Sequence, residues 1–292
     1  MKIDKIKEQI VTLLTLIRIR NCIMTFFGVL LGASFIDFSN IFTFKIILAG
    51  IAVFLITGAG NTINDYFDYE IDKINKAYRP IPSNKINRSD ALMFSLTLFF
   101  IGMGLSKYVN DYCLGIAVLN SIILVLYGKY SKRLHLVSNL GVSYLVASIF
   151  VFGALANFDS GINEIISEIG KLQLIAIISA CAFFTTFSRE IVKDIEDIEG
   201  DKKEYSVTLP IKIGVKRSKN IASIFILAAI LFSASPFFIP QEYFNLLPYG
   251  IFILIADLIF LISLTMHPAI CQRLMIVGMI IALLAFFLGG FP

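Results

Sequence analysis

The sequence predicts an all-α membrane protein of nine transmembrane helices, in which spans one to four and five to eight form a pseudo-repeat and the ninth is added. Three observations carry that prediction. Of 292 residues, 57% are hydrophobic and only 16% charged, and the mean hydropathy is +0.82, too apolar for a soluble domain. Apolar stretches of about 20 residues, the length that crosses a bilayer core as a helix, recur along the whole chain. Lys and Arg are also distributed with a strong one-sided bias between these stretches.

Residues 1–20 (MKIDKIKEQIVTLLTLIRIR) mix Lys and Arg with Ile, Leu and Val at helical spacing, which suits an amphipathic helix lying at the membrane interface. The apolar run is short, ends in Arg18 and Arg20 and lacks a small-residue cleavage site, so the segment reads as part of the mature protein rather than a cleaved signal. Spans follow at 22–37, 42–62, 90–109, 112–128, 136–157, 170–188, 219–240, 245–266 and 271–290; the first is short and the fourth runs into Tyr127 and a basic run. With the N-terminus inside, 22 of the 25 Lys and Arg fall on the inner side, leaving Lys45, Lys107 and Lys171 outside, as the positive-inside rule requires. The chain reads as one domain, 1–292, of a multi-pass cell-membrane protein, with two long cytoplasmic connections at 65–89 and 189–218. Connections of that length are usually functional or disordered. Cys22, Cys113, Cys181 and Cys271 are scattered singly and read as buried packing, while His135 and His267 read as loop or cap residues. Nothing in the chain asks for nucleic acid or for an obligate protein partner.

The most informative motif is a carboxylate spacing that occurs twice. Asp65, Asp68 and Asp72 return as Asp194, Asp197 and Asp201, each 129 residues further on. Four spans lie between the copies, an even number, so both emerge on one face, the cytoplasmic face by the charge bias. Asn61, Asn64 or Asp65, Asp68 and Asp72 follow at three- and four-residue steps, as do Glu190, Asp194, Asp197 and Asp201; on continuing helices those steps place the oxygens on one side. A helix C-terminus disfavours carboxylates, so three of them there ask for a cation, and hard oxygen donors suit Mg²⁺. Asn61, Asn64, Asp65, Asp68, Asp72, Asp194, Asp197 and Asp201 are therefore candidate metal ligands, and Asp68, Asp72, Asp197 and Asp201 the candidate catalytic carboxylates. One such Asp alone would read as a solvated cap, and the second cluster alone as a surface helix laced with ion pairs. The shared spacing argues against both.

Cations accompany each cluster. Arg79-Pro80-Ile81-Pro82-Ser83 follows the first, its prolines fixing the loop shape, and Arg79 can take phosphate oxygens by a bidentate fork with Lys73, Lys76 and Lys85 around it. Asn84 comes next and tolerates a left-handed turn. Gly58 and Gly60 let another helix approach closely. In the second segment Arg189, Lys193, Lys202 and Lys203 interleave with the acids, Gly200 relaxes the backbone near the helix end, and Thr208-Leu209-Pro210 starts the return to the membrane. The run Tyr127-Gly128-Lys129-Tyr130-Ser131-Lys132-Arg133 reads either as an interface belt or as Lys132 and Arg133 on a phosphate with Tyr127 near a cationic centre. Basic loops alone would suggest anionic lipid; beside these aspartates they suggest a substrate phosphate.

These segments resemble the UbiA-type superfamily of intramembrane prenyltransferases, over nearly the whole chain. The superfamily pattern N-D-x-x-D-x-x-x-D is met by Asn64, Asp65, Asp68 and Asp72, and its second aspartate motif by Asp194, Asp197 and Asp201. The resemblance implies nine helices around a lipid-open central cavity, two Mg²⁺ ions between the clusters, and cytoplasmic loops that cap the site. Within the superfamily, YRPIPS together with REIVKDIEDIEGDKK is most similar to the archaeal ether-lipid branch that attaches a geranylgeranyl group to the hydroxyl of geranylgeranylglyceryl phosphate. Chlorophyll synthases share the Arg-Pro-Ile-Pro-Ser run, whereas Arg189-Glu190-x2-Lys193-Asp194 discriminates better.

The expected reaction joins a prenyl diphosphate donor to a lipid acceptor among membrane lipids. Arg79, Lys132, Arg189 and their neighbours would hold phosphate, Asp68, Asp72 or the released pyrophosphate would take the acceptor proton, and aromatic faces would support the developing allylic charge. Two other readings stand beside it. A relative of the same family would use an aromatic quinone precursor or a chlorin as acceptor; a divalent-cation transporter would place its acids near the bilayer midplane, at broken helices.

Overall fold

The structure is a computed structural model that describes residues 2–130, 135–159, 161–203, 207–239 and 244–290, among which no strand occurs. Its helices are α1 (Lys2–Leu16), α2 (Ile19–Ser34), α3 (Phe44–Phe67), α4 (Tyr69–Asn75), α5 (Arg88–Val109), α6 (Asp111–Tyr130), α7 (His135–Leu155), α8 (Ile162–Ser167), α9 (Ile169–Glu196), α10 (Ile198–Lys203), α11 (Leu209–Ile213), α12 (Val215–Ser233), α13 (Leu246–Ser263) and α14 (Pro268–Gly289). Each predicted span corresponds to one of α2, α3, α5, α6, α7, α9, α12, α13 and α14. Eight are long and apolar enough to cross a membrane alone; α2, at 16 residues, forms the remaining span only together with α1, from which it is bent by 59°. Along α1 the apolar Ile6, Ile10, Val11 and Leu14 are exposed while Thr12 and Leu16 are buried, the one-sided pattern of a helix lying in an interface.

α3 is the most enclosed helix, with 61% of its apolar window buried against 22–39% in the other seven helices that qualify alone. It packs on α2, α5 and α6, and α9 packs on α7, α12 and α14; the neighbours repeat for the first and third spans of each half, while α14, the added ninth span, takes beside α9 the place that α6 has beside α3. They meet where α2 crosses α7. A Cβ on Gly32 would lie 2.3 Å from the Phe150 carbonyl oxygen, and one on Gly153 would lie 2.1 Å from that of Val29. Only glycine lets these backbones touch, the close approach typical of membrane helix pairs. Gly60 receives Leu124 of α6, and Gly58 faces Ile17 in the α1–α2 bend and Cys22 of α2.

Lys45, Lys107 and Lys171 gather at one end of the bundle, as the charge map predicts. Lys45 bonds Asp159 (2.6 Å) and the Phe158 carbonyl (2.9 Å), Lys107 pairs with Asp111, and Lys171 bonds the Ile36 carbonyl (2.9 Å). The aspartate motifs sit at the other end. All four cysteines are buried and unbridged, His267 is the N-cap of α14, and His135 opens α7.

Three expectations are corrected. The aspartate motifs do not continue α3 and α9 as unbroken helices: each helix ends in mid-motif, at Phe67 and Glu196, and a short helix follows. Gly200 does not loosen a helix end; it lies inside α10, and the break is at Asp197. The return to the membrane starts after Gly214, whose φ of +86° only glycine adopts readily, since Thr208 caps the short α11 first.

Candidate active site

The two motifs fold alike. Asp68 caps α3 with φ −79° and ψ 0°, and Asp197 caps α9 with φ −85° and ψ 2°. Asp68 N–H donates to the Asn64 carbonyl (2.9 Å) and Asp72 N–H to that of Asp68 (2.8 Å). In the second copy Asp197 N–H donates to Lys193 (2.9 Å) and Asp201 N–H to Asp197 (3.0 Å). The repeat therefore extends from spacing to backbone, and each middle aspartate is the residue at which a spanning helix is interrupted.

In the first copy the carboxylates are nearly sealed from solvent, Asp65 and Asp72 each being 3% exposed. Arg79 Nη1 bridges them, 3.1 Å from Asp65 Oδ1 and 2.6 Å from Asp72 Oδ2, and Arg18 Nη2 reaches Asp65 Oδ1 at 2.8 Å. Asn64 Nδ2 donates to Asp68 Oδ2 (3.0 Å), and Asn61 Nδ2 donates to the Ile17 carbonyl (2.9 Å), which leaves the Asn61 amide oxygen as its remaining polar atom. Arg79 is delivered by a compact turn. Ser83 N–H bonds the Arg79 carbonyl, Lys85 N–H bonds that of Pro80, and Asn84 takes the left-handed conformation its side chain tolerates, at φ 57°. Ile81, 2% exposed, pins the turn against Leu16 and Ala91. Burial opposes the Arg79 charge, but the carboxylates of Asp65, Asp72 and Asp68 outweigh it, and its pKa rises above the usual guanidinium value.

The second copy is held differently. Asn139 Nδ2 of α7 donates to Asp194 Oδ2 (2.9 Å), while buried Glu190 takes Arg189 at 2.9 Å and Lys193 at 3.6 Å. The Nε of Arg189 is buried without a hydrogen-bond partner among the described residues. Asp197 is exposed and Asp201 half-buried. Tyr127 has charged neighbours from both copies, Lys193 and Glu190 from the second and Asp68, with Arg18, from the first. Lys73 lies over the Tyr69 ring at 4.2 Å, Lys202 pairs with Glu199 at 3.2 Å, and Lys76 is exposed. Lys132, Arg133 and the side chain of Lys203 lie outside the described residues.

Sequence reasoning missed Arg18 and Asn139. Neither belongs to a motif, and they meet their aspartates across 47 and 55 residues of chain. Among the described residues no three acidic, His or Cys side chains converge as a finished metal cage. The donors nevertheless fit a hard divalent cation. They are carboxylate and amide oxygens, and a positive charge already bridges Asp65 and Asp72.

Comparison with known proteins places this geometry. Residues 22–275 match the UbiA prenyltransferase family. The chain is 42% identical to the digeranylgeranylglyceryl phosphate synthase of Methanococcus aeolicus, over 86% of this chain and 84% of that one. With the enzyme of the same name from Methanococcoides burtonii it shares 40% identity, over 96% and 99%. A solved structure from work on digeranylgeranylglyceryl phosphate synthase in membranes superposes with a TM-score of 0.82 at 35% identity, covering 97% of this chain and 99% of that one. A UbiA homologue from Archaeoglobus fulgidus bound to DMAPP and Mg²⁺ shares the fold at a TM-score of 0.67 and 15% identity, over 94% and 98%. On the match across most of its length, the chain belongs to the UbiA prenyltransferase family.

Proposed function

We propose that this prenyltransferase moves a geranylgeranyl group from geranylgeranyl diphosphate to the hydroxyl of geranylgeranylglyceryl phosphate, releasing pyrophosphate. The observation that carries the reading is the pair of matching helix breaks at Asp68 and Asp197, at one end of the bundle, with Arg18, Arg79, Arg189 and Lys193 among the carboxylates. The acceptor class rests on relatives of that name at about 40% identity over most of their length.

The site lies on the cytoplasmic side, where the Lys and Arg excess places the aspartate end. Asn61, Asn64, Asp65, Asp68 and Asp72 on one break, with Asp194, Asp197 and Asp201 on the other, would hold two divalent ions, Mg²⁺ by their all-oxygen character. Bound there, the ions supply Lewis-acid neutralisation of a diphosphate leaving group. Arg79, Lys73 and Lys76 from the first connection, and Arg189, Lys193 and Lys202 from the second, receive phosphate oxygens. Lys132 and Arg133 join them from the α6–α7 connection. Arg189 Nε, buried and unpartnered, suits such an acceptor. Tyr127 turns its ring towards the allylic carbon as positive charge develops there. Asp68 or Asp72, or the departing pyrophosphate, takes the acceptor proton. Both C20 chains lie between the two helical halves and leave sideways into lipid. Acids at the end of the bundle, rather than at mid-span, speak against a cation transporter.

The test incubates detergent-solubilised protein with labelled geranylgeranyl diphosphate and a panel of acceptors, with Mg²⁺ and with EDTA. Prenylation of geranylgeranylglyceryl phosphate, abolished by EDTA and restored by Mg²⁺, is expected. Turnover of a phenolic or chlorin acceptor with none of the glyceryl phosphate would overturn the acceptor assignment.

A further inference from the structure

Arg18 joins three parts of the molecule at one point. It is the residue on which α1 bends away from α2, in the left-handed conformation at φ 52° and ψ 63°, which a residue with a long side chain adopts only when its surroundings hold it there. Its guanidinium sits on Asp65, and Asp65 in turn shares Arg79 with Asp72. The neighbouring residues fasten the same bend. The Ile17 carbonyl accepts from Asn61 Nδ2, Ile17 packs over Gly58, and buried Leu16 packs with Ile81 of the Arg79 turn and with Ala91. N-terminal to this junction, α1 leaves Ile6, Ile10, Val11 and Leu14 exposed. The seat of α1 therefore depends on a small set of contacts, one of which is an ion pair made to a candidate metal ligand.

Asp65 and Asp72 together already balance two guanidiniums, those of Arg18 and Arg79, so a divalent ion added on Asp65 puts positive charge in excess in a nearly buried place; Arg18, which touches Asp65 alone and is the more exposed of the two, at 36% against 18%, is the one that gives way. We propose that Arg18 is a positioning residue that couples metal loading at Asp65 to the seat of α1. Without metal, the guanidinium holds Asp65 and keeps α1 docked over the aspartate end. When a divalent ion takes Asp65, Arg18 is displaced, the left-handed bend loses its tether, and α1 shifts along the interface beside the Arg79 turn. Coupling of this kind is reciprocal: if metal drives Arg18 off, Arg18 must weaken metal binding by the same factor. The inference rests on the reading of Asp65 and its neighbours as the metal site.

The experiment uses the full chain purified in detergent and Mg²⁺ alone. An environment-sensitive fluorophore on Ile10→Cys reports α1, the four native cysteines being buried. Wild-type Arg18 protein is expected to bind Mg²⁺ with a change in the fluorophore signal. Arg18→Gln is expected to bind Mg²⁺ several-fold more tightly, with the signal already displaced before metal is added. A residue that merely braced the fold would give the opposite sign, weaker binding on its removal. Binding in Arg18→Gln no tighter than in wild type overturns the proposal and leaves the metal reading standing, whereas no Mg²⁺ binding by the wild type overturns both. If Arg18→Gln fails to fold, the wild-type label decides alone: Mg²⁺ binding without any change at Ile10→Cys overturns the coupling.

Discussion

Asp65 and Asp72 are tolerated in a nearly solvent-free place because Arg79 spans them and Arg18 also holds Asp65. Removing one member of a buried ion pair leaves an uncompensated charge, which costs about 3–5 kcal/mol. Arg79→Ala is therefore expected to lower the melting temperature of the metal-free protein clearly, with the fold otherwise retained. Mg²⁺ should restore part of the loss, because an ion bound only by the folded state stabilises it by mass action. Melting curves that do not respond to the substitution, or that Mg²⁺ leaves unchanged, would remove the electrostatic account. At this scale the sequence was a good guide where partners are close along the chain. Arg79 lies 7 residues from Asp72 and could be placed beside it from the loop alone. Arg18 and Asn139 could not, since an ordinary interfacial arginine and an ordinary helix asparagine become site residues only when distant helices bring them to an aspartate.

The existence and order of the spanning helices were legible, because about 20 apolar residues between polar connections have one economical solution in a bilayer, although α3 and α9 run past the expected ends at 62 and 188 to Phe67 and Glu196. Their breaks were not. Neither Asp68 nor Asp197 is preceded by a Gly or Pro stop signal, and the three- and four-residue steps read as one helix. The structure interrupts the helix at each, and in the first copy Arg79 reaches Asp65 and Asp72 on the two sides of the break. The helix contact that unites the halves was equally hidden: Gly32 and Gly153 are two glycines among 19, distinguished only by the backbone each faces. Gly153→Leu is expected to destabilise the protein by about 1–3 kcal/mol or more, through overpacking against the Val29 carbonyl. Gly115→Leu, where a Cβ would meet nothing within 4 Å, is the control and should melt as the wild type does. Equal melting of the two variants would count against a close α2–α7 crossing.

For the whole molecule the charge bias predicts the orientation in the membrane. Lys76 and Lys202 are exposed at the aspartate end and Lys107 at the opposite end. Single cysteines at these positions can be read separately, because the native thiols are buried. A membrane-impermeant thiol reagent should label Lys107→Cys in intact cells, and Lys76→Cys and Lys202→Cys only after the membrane is opened. Labelling of Lys76→Cys from outside would invert the orientation. The sequence alone determined the all-helical membrane class, the number and order of spans, the end of the bundle that carries the aspartates, and the existence of a repeat. All of these follow from composition, period and parity, which are properties of a chain in a bilayer. Only the tertiary structure decided which cations neutralise which carboxylates, where the two motifs are interrupted, and that the α1–α2 bend falls on Arg18, paired with Asp65. Those depend on contacts between residues tens of positions apart, and no local pattern encodes them.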